Sequence, residues 1–204
     1  PDTVYRFDSG GAPEAIPSLT YENFRAFHRS YYSPSNARFF LYGNIPPSDH
    51  LPFIEEMLRG FDRVPVDSTI ASQVRWTAPR RVRSGYPIGK DEDPKGKATV
   101  NVAWMLSENT DELTTLLLQI TAGILVGSAA GPLRKALIDS HLGEDLSPVT
   151  VFERDYKQSV FAVGLRGTEP EKAEEIETLI LGTLGHIVQK GVDRELIEGT
   201  LHQV

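Results

Sequence analysis

The sequence predicts an α+β fold: an antiparallel sheet with its helices on one face, preceded by an incomplete α/β portion. Three stretches carry this expectation. In residues 97–106, Val100, Val102, Trp104 and Leu106 alternate with Thr99, Asn101, Ala103 and Met105, the two-residue period of a strand with one apolar side. Leu113, Leu116, Leu117, Ile120, Ile124 and Leu125 then recur at helical spacing, with Leu118 widening the stripe, so a buried helix can pack on the Trp104 side. Ser159 to Leu165 is apolar on both faces and reads as a central strand.

Taken in order, residues 1–18 read as loop, with Val4 to Phe7 a short strand and Gly10-Gly11 free to turn. That loop either sets the angle of the next helix or lines a substrate cleft. Thr20 caps a helix with Glu22 in its first turn, and Phe24, Phe27, His28 and Tyr31 share one face. Pro34 stops that helix. Ala37 to Tyr42 is apolar at nearly every position, a strand expected to be covered on both sheet faces. Pro46-Pro47-Ser48-Asp49 opens a second helix, with Leu51, Ile54, Met57 and Leu58 on one side and Gly60 past its end. One lone strand leaves its backbone groups unpaired, so residues 1–66 read as the tail of a domain whose main sheet lies upstream.

Residues 67–80 thin in apolar content and read as linker; residues 81–204 read as a second α+β domain. Arg81 to Ile88 alternates loosely and is expected to pair antiparallel with 97–106 across the polar connection Gly89 to Gly96. Asn109 or Thr110 is expected to cap the apolar helix, and Gly127 to Pro132 turns the chain into another helix, Pro132 to Ser140. Val149 to Glu153 and Ser159 to Leu165 form a hairpin around Arg154 to Gln158. Thr168-Glu169-Pro170-Glu171 has the spacing of a capping box opening a long helix, with Ile176, Leu179, Ile180, Leu184, Ile187 and Val188 in its stripe and Gly191 at its close. The domain order is thus β-β-α-α-β-β-α-α. Leu196, Ile197, Leu201 and Val204 continue at helical spacing without a stop signal, and Pro1 is not an initiator residue, so the chain reads as a piece of a longer one with its last helix truncated.

The segments DSGG-x-P-x-x-IP-x-LTY (8–21) and FH-x-x-YY-x-PSNARFF-x-YGNI (27–45), with GPLRKALIDS (131–140), LGED (142–145) and the stretch from Gly191 to His202-Gln203, resemble the presequence protease branch of the pitrilysin-type metallopeptidases, the inverted zinc motif family. The resemblance covers almost the whole chain. It implies a parent that is a zinc metalloendopeptidase, hydrolysing short unstructured peptides inside a chamber built from two halves. The family signature, H-x-x-E-H with a more distant Glu, is absent here and by the resemblance lies upstream of Pro1. By the resemblance this chain is expected to be a non-catalytic segment of the chamber wall: the end of the zinc-bearing first domain, a neighbouring copy of the same pitrilysin-like fold, and most of the second. Its partners would be the upstream zinc domain, the C-terminal half and the parent's peptide substrate. The alternative is a non-enzymatic scaffold or assembly protein of the same fold. The family serves in bacteria, mitochondria and plastids, so no compartment is implied.

Composition excludes other classes. A net charge of −7, with basic residues clustered only at Arg80-Arg81-Val82-Arg83, argues against a nucleic-acid surface. With no cysteine, there is neither a disulfide framework nor a thiolate metal site. No apolar run approaches the roughly 20 residues of a membrane span, and a soluble chain is expected.

Zinc hydrolysis needs about three converging ligands and a carboxylate beside the bound water. Of His28, His50, His141, His186 and His202, no two stand within one helical turn. Glu198 and His202 are four apart but incomplete as a site and read as a solvated pair. His28 is expected to be a hydrogen-bonded core histidine. There is no G-x-S-x-G elbow. The Gly127 to Pro132 turn lacks the lysine and hydroxyl of a phosphate loop and reads as close helix packing. Glu55-Glu56 and Glu174-Glu175 read as solubility charge, and Asp91-Glu92-Asp93 as an exposed turn. No catalytic, metal or cofactor residue is therefore assigned, and zinc is expected in the parent only. Uncovered apolar surface in residues 1–62 is expected to give self-association or a mobile N-terminal part.

Overall fold

A computed structural model describes residues 3–203; Pro1, Asp2 and Val204 lie outside the described residues. The chain divides into two compact units, Pro1–Ala71 and Ser72–Val204.

The first unit holds two helices, α1 (Tyr21–Tyr31) and α2 (Pro47–Leu58), with short 3-10 turns at Val4–Arg6 and Ile16–Ser18 before them and one at Pro34–Asn36 between them. The Thr20 hydroxyl accepts the Asn23 N–H at 3.1 Å, as the sequence predicts, and relieves one unpaired donor of the first turn of α1. At its other end, the Asn36 side-chain amide donates to the Tyr31 carbonyl at 3.0 Å. The turn at Pro34–Asn36 is tied to residues further on: Ser35 Oγ accepts the Val64 N–H, and Ser68 Oγ donates to Asn36 Oδ1, each at 3.0 Å. Two expectations fail in this unit. Val4–Arg6 is a 3-10 turn, and Ala37 to Tyr42 is irregular, with Phe40 89% and Tyr42 97% exposed. The cause is the same in both cases. Strand backbone needs a partner backbone, and no other strand exists among the described residues of this unit. None of its described residues is buried, so it has no apolar core of its own.

The second unit is built on two long strands, β1 (Ala98–Glu108) and β4 (Gln158–Thr168), paired antiparallel. On the far edge of β4 lie two short strands in succession: β2 (Asp145–Leu146) against Arg166 and Leu165, and β3 (Val151–Glu153) against residues 160–162. Between them, the Thr150 hydroxyl accepts the Gly164 N–H at 3.2 Å and the Ser147 N–H donates to the Gly164 carbonyl at 2.9 Å, so the interruption leaves that part of the edge satisfied.

The register decides where the core sits. Val100 stands opposite Leu165, Val102 opposite Val163 and Trp104 opposite Phe161, all on one face. Onto that face pack α3 (Glu112–Val126), α4 (Pro132–Asp139) and α5 (Ala173–Lys190), through Ala122, Leu125, Leu133, Leu137, Ile176 and Ile180. Leu133, Leu137, Val163, Leu165, Ile176 and Ile180 are completely buried, each contributing about 1.5–3 kcal/mol from apolar surface withdrawn from water. A last helix, α6 (Arg194–Leu201), packs on α3. No helix among the described residues is long and apolar enough to cross a membrane.

Several local expectations are corrected here. Arg81 to Ile88 forms no strand: Gly85 weakens an extended ladder and Pro87 has no N–H to give it. Side chains tie the segment instead, with Arg81 gripping Glu177 of α5 through two hydrogen bonds (2.7 and 3.3 Å) and the Tyr86 hydroxyl donating to the Lys97 carbonyl. The cap of α3 is Asp111, whose carboxylate accepts the Thr114 N–H at 3.1 Å, because the Asn109 amide is spent on the carbonyls of Arg154 and Tyr156 in the β3–β4 turn. α3 is buried along Thr115, Ala122, Ile124 and Leu125, while Leu113, Leu116 and Leu117 are exposed. Val188 in α5 is 85% exposed. Thr168 is not a cap: it is the buried last residue of β4, its hydroxyl donating to the Leu142 carbonyl at 2.6 Å, and a 3-10 turn at Pro170–Lys172 leads into α5. α6 stops at Leu201, where the His202 N–H returns to Glu198; Val204 of its expected stripe is outside the described residues.

A Cβ placed on Gly164 would lie 1.9 Å from the Val100 carbonyl oxygen, so β1 and β4 approach this closely only over glycine. Gly164→Ala should therefore cost at least about 2 kcal/mol in urea unfolding; an unchanged midpoint would show that the strands are not so close. The Thr114 side chain and N–H hold the Asp111 carboxyl below its ordinary range. A lowered pKa stabilises the fold above the unfolded value, and the contribution is lost as pH falls through the folded one. Asp111→Asn should keep the cap and flatten the acid limb of the thermal midpoint, whereas Asp111→Ala should lower the midpoint by a few degrees at neutral pH.

Candidate functional site

None of the residues weighed as ligands converges on another. His28 is a correction to the expected core histidine: it is exposed on α1, its ring stacked on Tyr32 at 4.8 Å and near Phe24 at 6.3 Å. Helical spacing gives it an apolar face, but nothing among the described residues packs over that face. His50 is half-buried in α2; His141, His186 and His202 are exposed, His141 at a positive φ of 55° just after α4. Glu198 is engaged by Arg194, whose Nε donates to it at 2.7 Å. Among the described residues no group of three His, Cys, Asp or Glu is placed to hold a metal ion. The side chains of the described residues do not assemble a zinc centre.

The remaining candidates resolve as structure. In the Gly127 to Pro132 turn the Gly127 N–H is bonded to the Gly123 carbonyl and the Gly131 N–H to that of Ser128, and Pro132 has none to offer. A Cβ on Gly131 would come within 2.7 Å of the Leu125 carbonyl oxygen, which is the close packing of α3 and α4 that the turn permits. In the acidic turn, Glu92 accepts the Gly89 N–H at 3.2 Å and Asp93 the Lys95 N–H at 2.9 Å; its carboxylates fasten their own loop. Glu56 pairs with Arg59 at 2.6 Å. Glu174 and Glu175 border a shallow cleft of about 510 Å³ with Ser140, Leu142, Thr178 and Leu179.

What the fold does offer is a second sheet face. Opposite the helices, β1 and β4 present Thr99, Asn101, Ala103 and Met105 beside Arg166, Gly164, Ala162 and Val160. Thr99, Asn101, Ala103 and Arg166 are exposed. Beside them Arg166 pairs with Asp145 at 3.2 Å. The Asp145 carboxyl is held below its ordinary range by the Leu146 N–H first and by Arg166 second. Among the described residues this face carries no cluster of ligand-type side chains.

A family model described as "Peptidase M16 inactive domain" matches residues 18–204. The chain belongs to this family. It is 38% identical over 208 residues to a mitochondrial presequence protease of Xenopus tropicalis, matching all of this chain and 20% of that protein. It is likewise 38% identical to Protein HypA of Clostridium perfringens over 205 residues, all of this chain and 21% of the relative. The chain thus spans about one fifth of the length of the curated relatives it matches. The backbone is similar to that of a ferredoxin protease, FusC, solved as a mutant in complex with Arabidopsis ferredoxin, with a TM-score of 0.55 at 16% identity over 93% of this chain and 20% of that one. At that identity the likeness speaks for the fold alone. Metallopeptidase membership and the mixed helix and antiparallel-sheet architecture agree with the sequence reading.

Proposed function

We propose that this M16 domain is a non-catalytic segment of a longer zinc metalloendopeptidase that degrades short unstructured peptides, and that its helix-free sheet face forms part of the wall enclosing them. The observation that carries the reading is the match of the whole chain, at 38% identity, to one fifth of a presequence protease, through the domain type described as inactive. Two physical features support it. The sheet face of Thr99, Asn101, Ala103 and Arg166 is open, polar and without a reactive pair. The first unit carries the aromatic face of α1 and the segment 37–42 without a core to bury them, as expected of a part that folds against another domain.

In this reading the zinc ligands and the base come from the upstream domain, and the residues here contribute shape. The test compares two polypeptides against a fluorogenic unstructured peptide. The longer natural polypeptide should hydrolyse it, lose activity to a chelator and regain it with zinc. Residues 1–204 alone should neither cleave it nor retain zinc near one per chain. A longer polypeptide that lacks H-x-x-E-H and is inert would instead favour a scaffold of the same fold, and chelator-sensitive cleavage by residues 1–204 would overturn both.

A further inference from the structure

β1 is the outermost strand on its side of the sheet, and it pairs with β4 alone among the described residues. Its core-facing residues Val100, Val102, Trp104 and Leu106 are half-buried, whereas Val163 and Leu165 beside them on β4 are completely buried. The open edge of such a strand offers a row of N–H and C=O groups to any extended chain. No backbone hydrogen bond joins residues 74–88 to β1 among the described residues, so the connector does not fill that row.

The connector is nevertheless fastened at both ends of the strand. At the Glu108 end, the Ser72 hydroxyl donates to the Glu108 carboxylate, and Gln158, opposite Glu108, bonds the Gln73 backbone twice: its side-chain amide accepts the N–H at 2.6 Å and donates to the carbonyl at 3.3 Å. At the other end the Tyr86 hydroxyl donates to the Lys97 carbonyl, just before β1 begins. Between these ties Arg81 grips Glu177 of α5. Residues 73–86 therefore run from the last residue of β1 back to its first. Their freedom is small. The 11 residues of β1 extend about 36 Å, while residues 73–86 reach about 45 Å at full stretch, so with both ends held the middle bows out by about 13 Å at most. The composition of the segment suits it to cover an edge without extending the sheet. Pro79 and Pro87 have no N–H, Gly85 weakens an extended ladder, and Arg80, Arg81 and Arg83 place like charges along it. The Arg80 guanidinium lies 4.3 Å over the Trp76 ring, which turns that side chain back on its own segment.

We infer that residues 74–88 are a guard strap, held across the approach to the open edge of β1 so that another extended polypeptide does not add to the sheet there. The excluded chain that is always present is a second copy, whose own β1 can pair antiparallel with this one.

The chain has no cysteine, so Thr99→Cys, Asn101→Cys and Ala103→Cys each give a single thiol along β1. Two β1 strands paired antiparallel bring residues of this row opposite one another, with Cα atoms about 4.5–5.5 Å apart and within disulfide reach. Under mild oxidation, alone and mixed in pairs, these variants should form little linked dimer. Adding Arg81→Ala and Tyr86→Phe should raise the linked dimer about tenfold or more, since an ion pair and a hydrogen bond that hold the strap are lost. Ser48→Cys in α2 reports association through the first unit, and its cross-linking should not change on release. Far-UV circular dichroism and the urea midpoint check that the released variant keeps its fold; if it does not, Glu177→Ala and Tyr86→Phe taken singly free one tie each and should each give a smaller rise. Equal cross-linking along β1 with and without the ties, or none after their release, overturns the inference and leaves the connector as a linker only.

Discussion

The pairing of β1 with β4 is the interaction on which the rest of the folded unit depends. It sets Val100, Val102 and Trp104 opposite Leu165, Val163 and Phe161, and so makes one face continuous enough to receive three helices. A shift of one residue would send each of these side chains to the other face and leave Leu133, Leu137, Ile176 and Ile180 with small polar neighbours. Gly164 lets the strands close, and Thr150 and Ser147 satisfy the edge where β2 gives way to β3. The same alternation that builds the core leaves Thr99, Asn101 and Ala103 facing outward, so the helix-free face is a direct consequence of the register.

The two units differ in kind. The second has a closed apolar cluster spanning strands and helices; the first has helix caps, turns and aromatic stacking, but no buried residue among those described. Capping and stacking are each worth about 1 kcal/mol or less, and do not replace a core. A chain with one cored unit and one coreless portion is consistent with a segment of a larger M16 protein. The segment 72–81 belongs with the second unit: the Gln73 N–H donates to Gln158 Oε1 at 2.6 Å, and Arg81 to Glu177.

Much of this fold was legible in the sequence, because its main signals are local. The alternation from Thr99 to Leu106, the two-sided apolar run from Ser159 to Leu165, the Thr20 cap and Pro132 at the first turn of α4 each need only a few neighbouring residues. The misses share one cause, which is that the outcome depends on a partner distant in sequence. Asp145–Leu146 is a strand only because Leu165 and Arg166 lie alongside it. Asn109 does not cap α3 because Arg154 and Tyr156 claim its amide. Periodicity put His28 on an apolar face but could not say whether anything covered it, and it likewise could not separate the buried from the bare half of α3. The candidate surface has no motif at all; it is visible only once the register shows which side of the sheet the helices leave open.

Limited proteolysis with mass-spectrometric mapping tests the central claim, that residues 1–204 hold one self-sufficient domain and one portion without a core. The account predicts early cuts throughout residues 3–71 and a resistant product beginning between Ser72 and Ala98 and retaining β1 through α5. A first unit that survives as long as the second, or early cleavage inside β4 or α5, would contradict it.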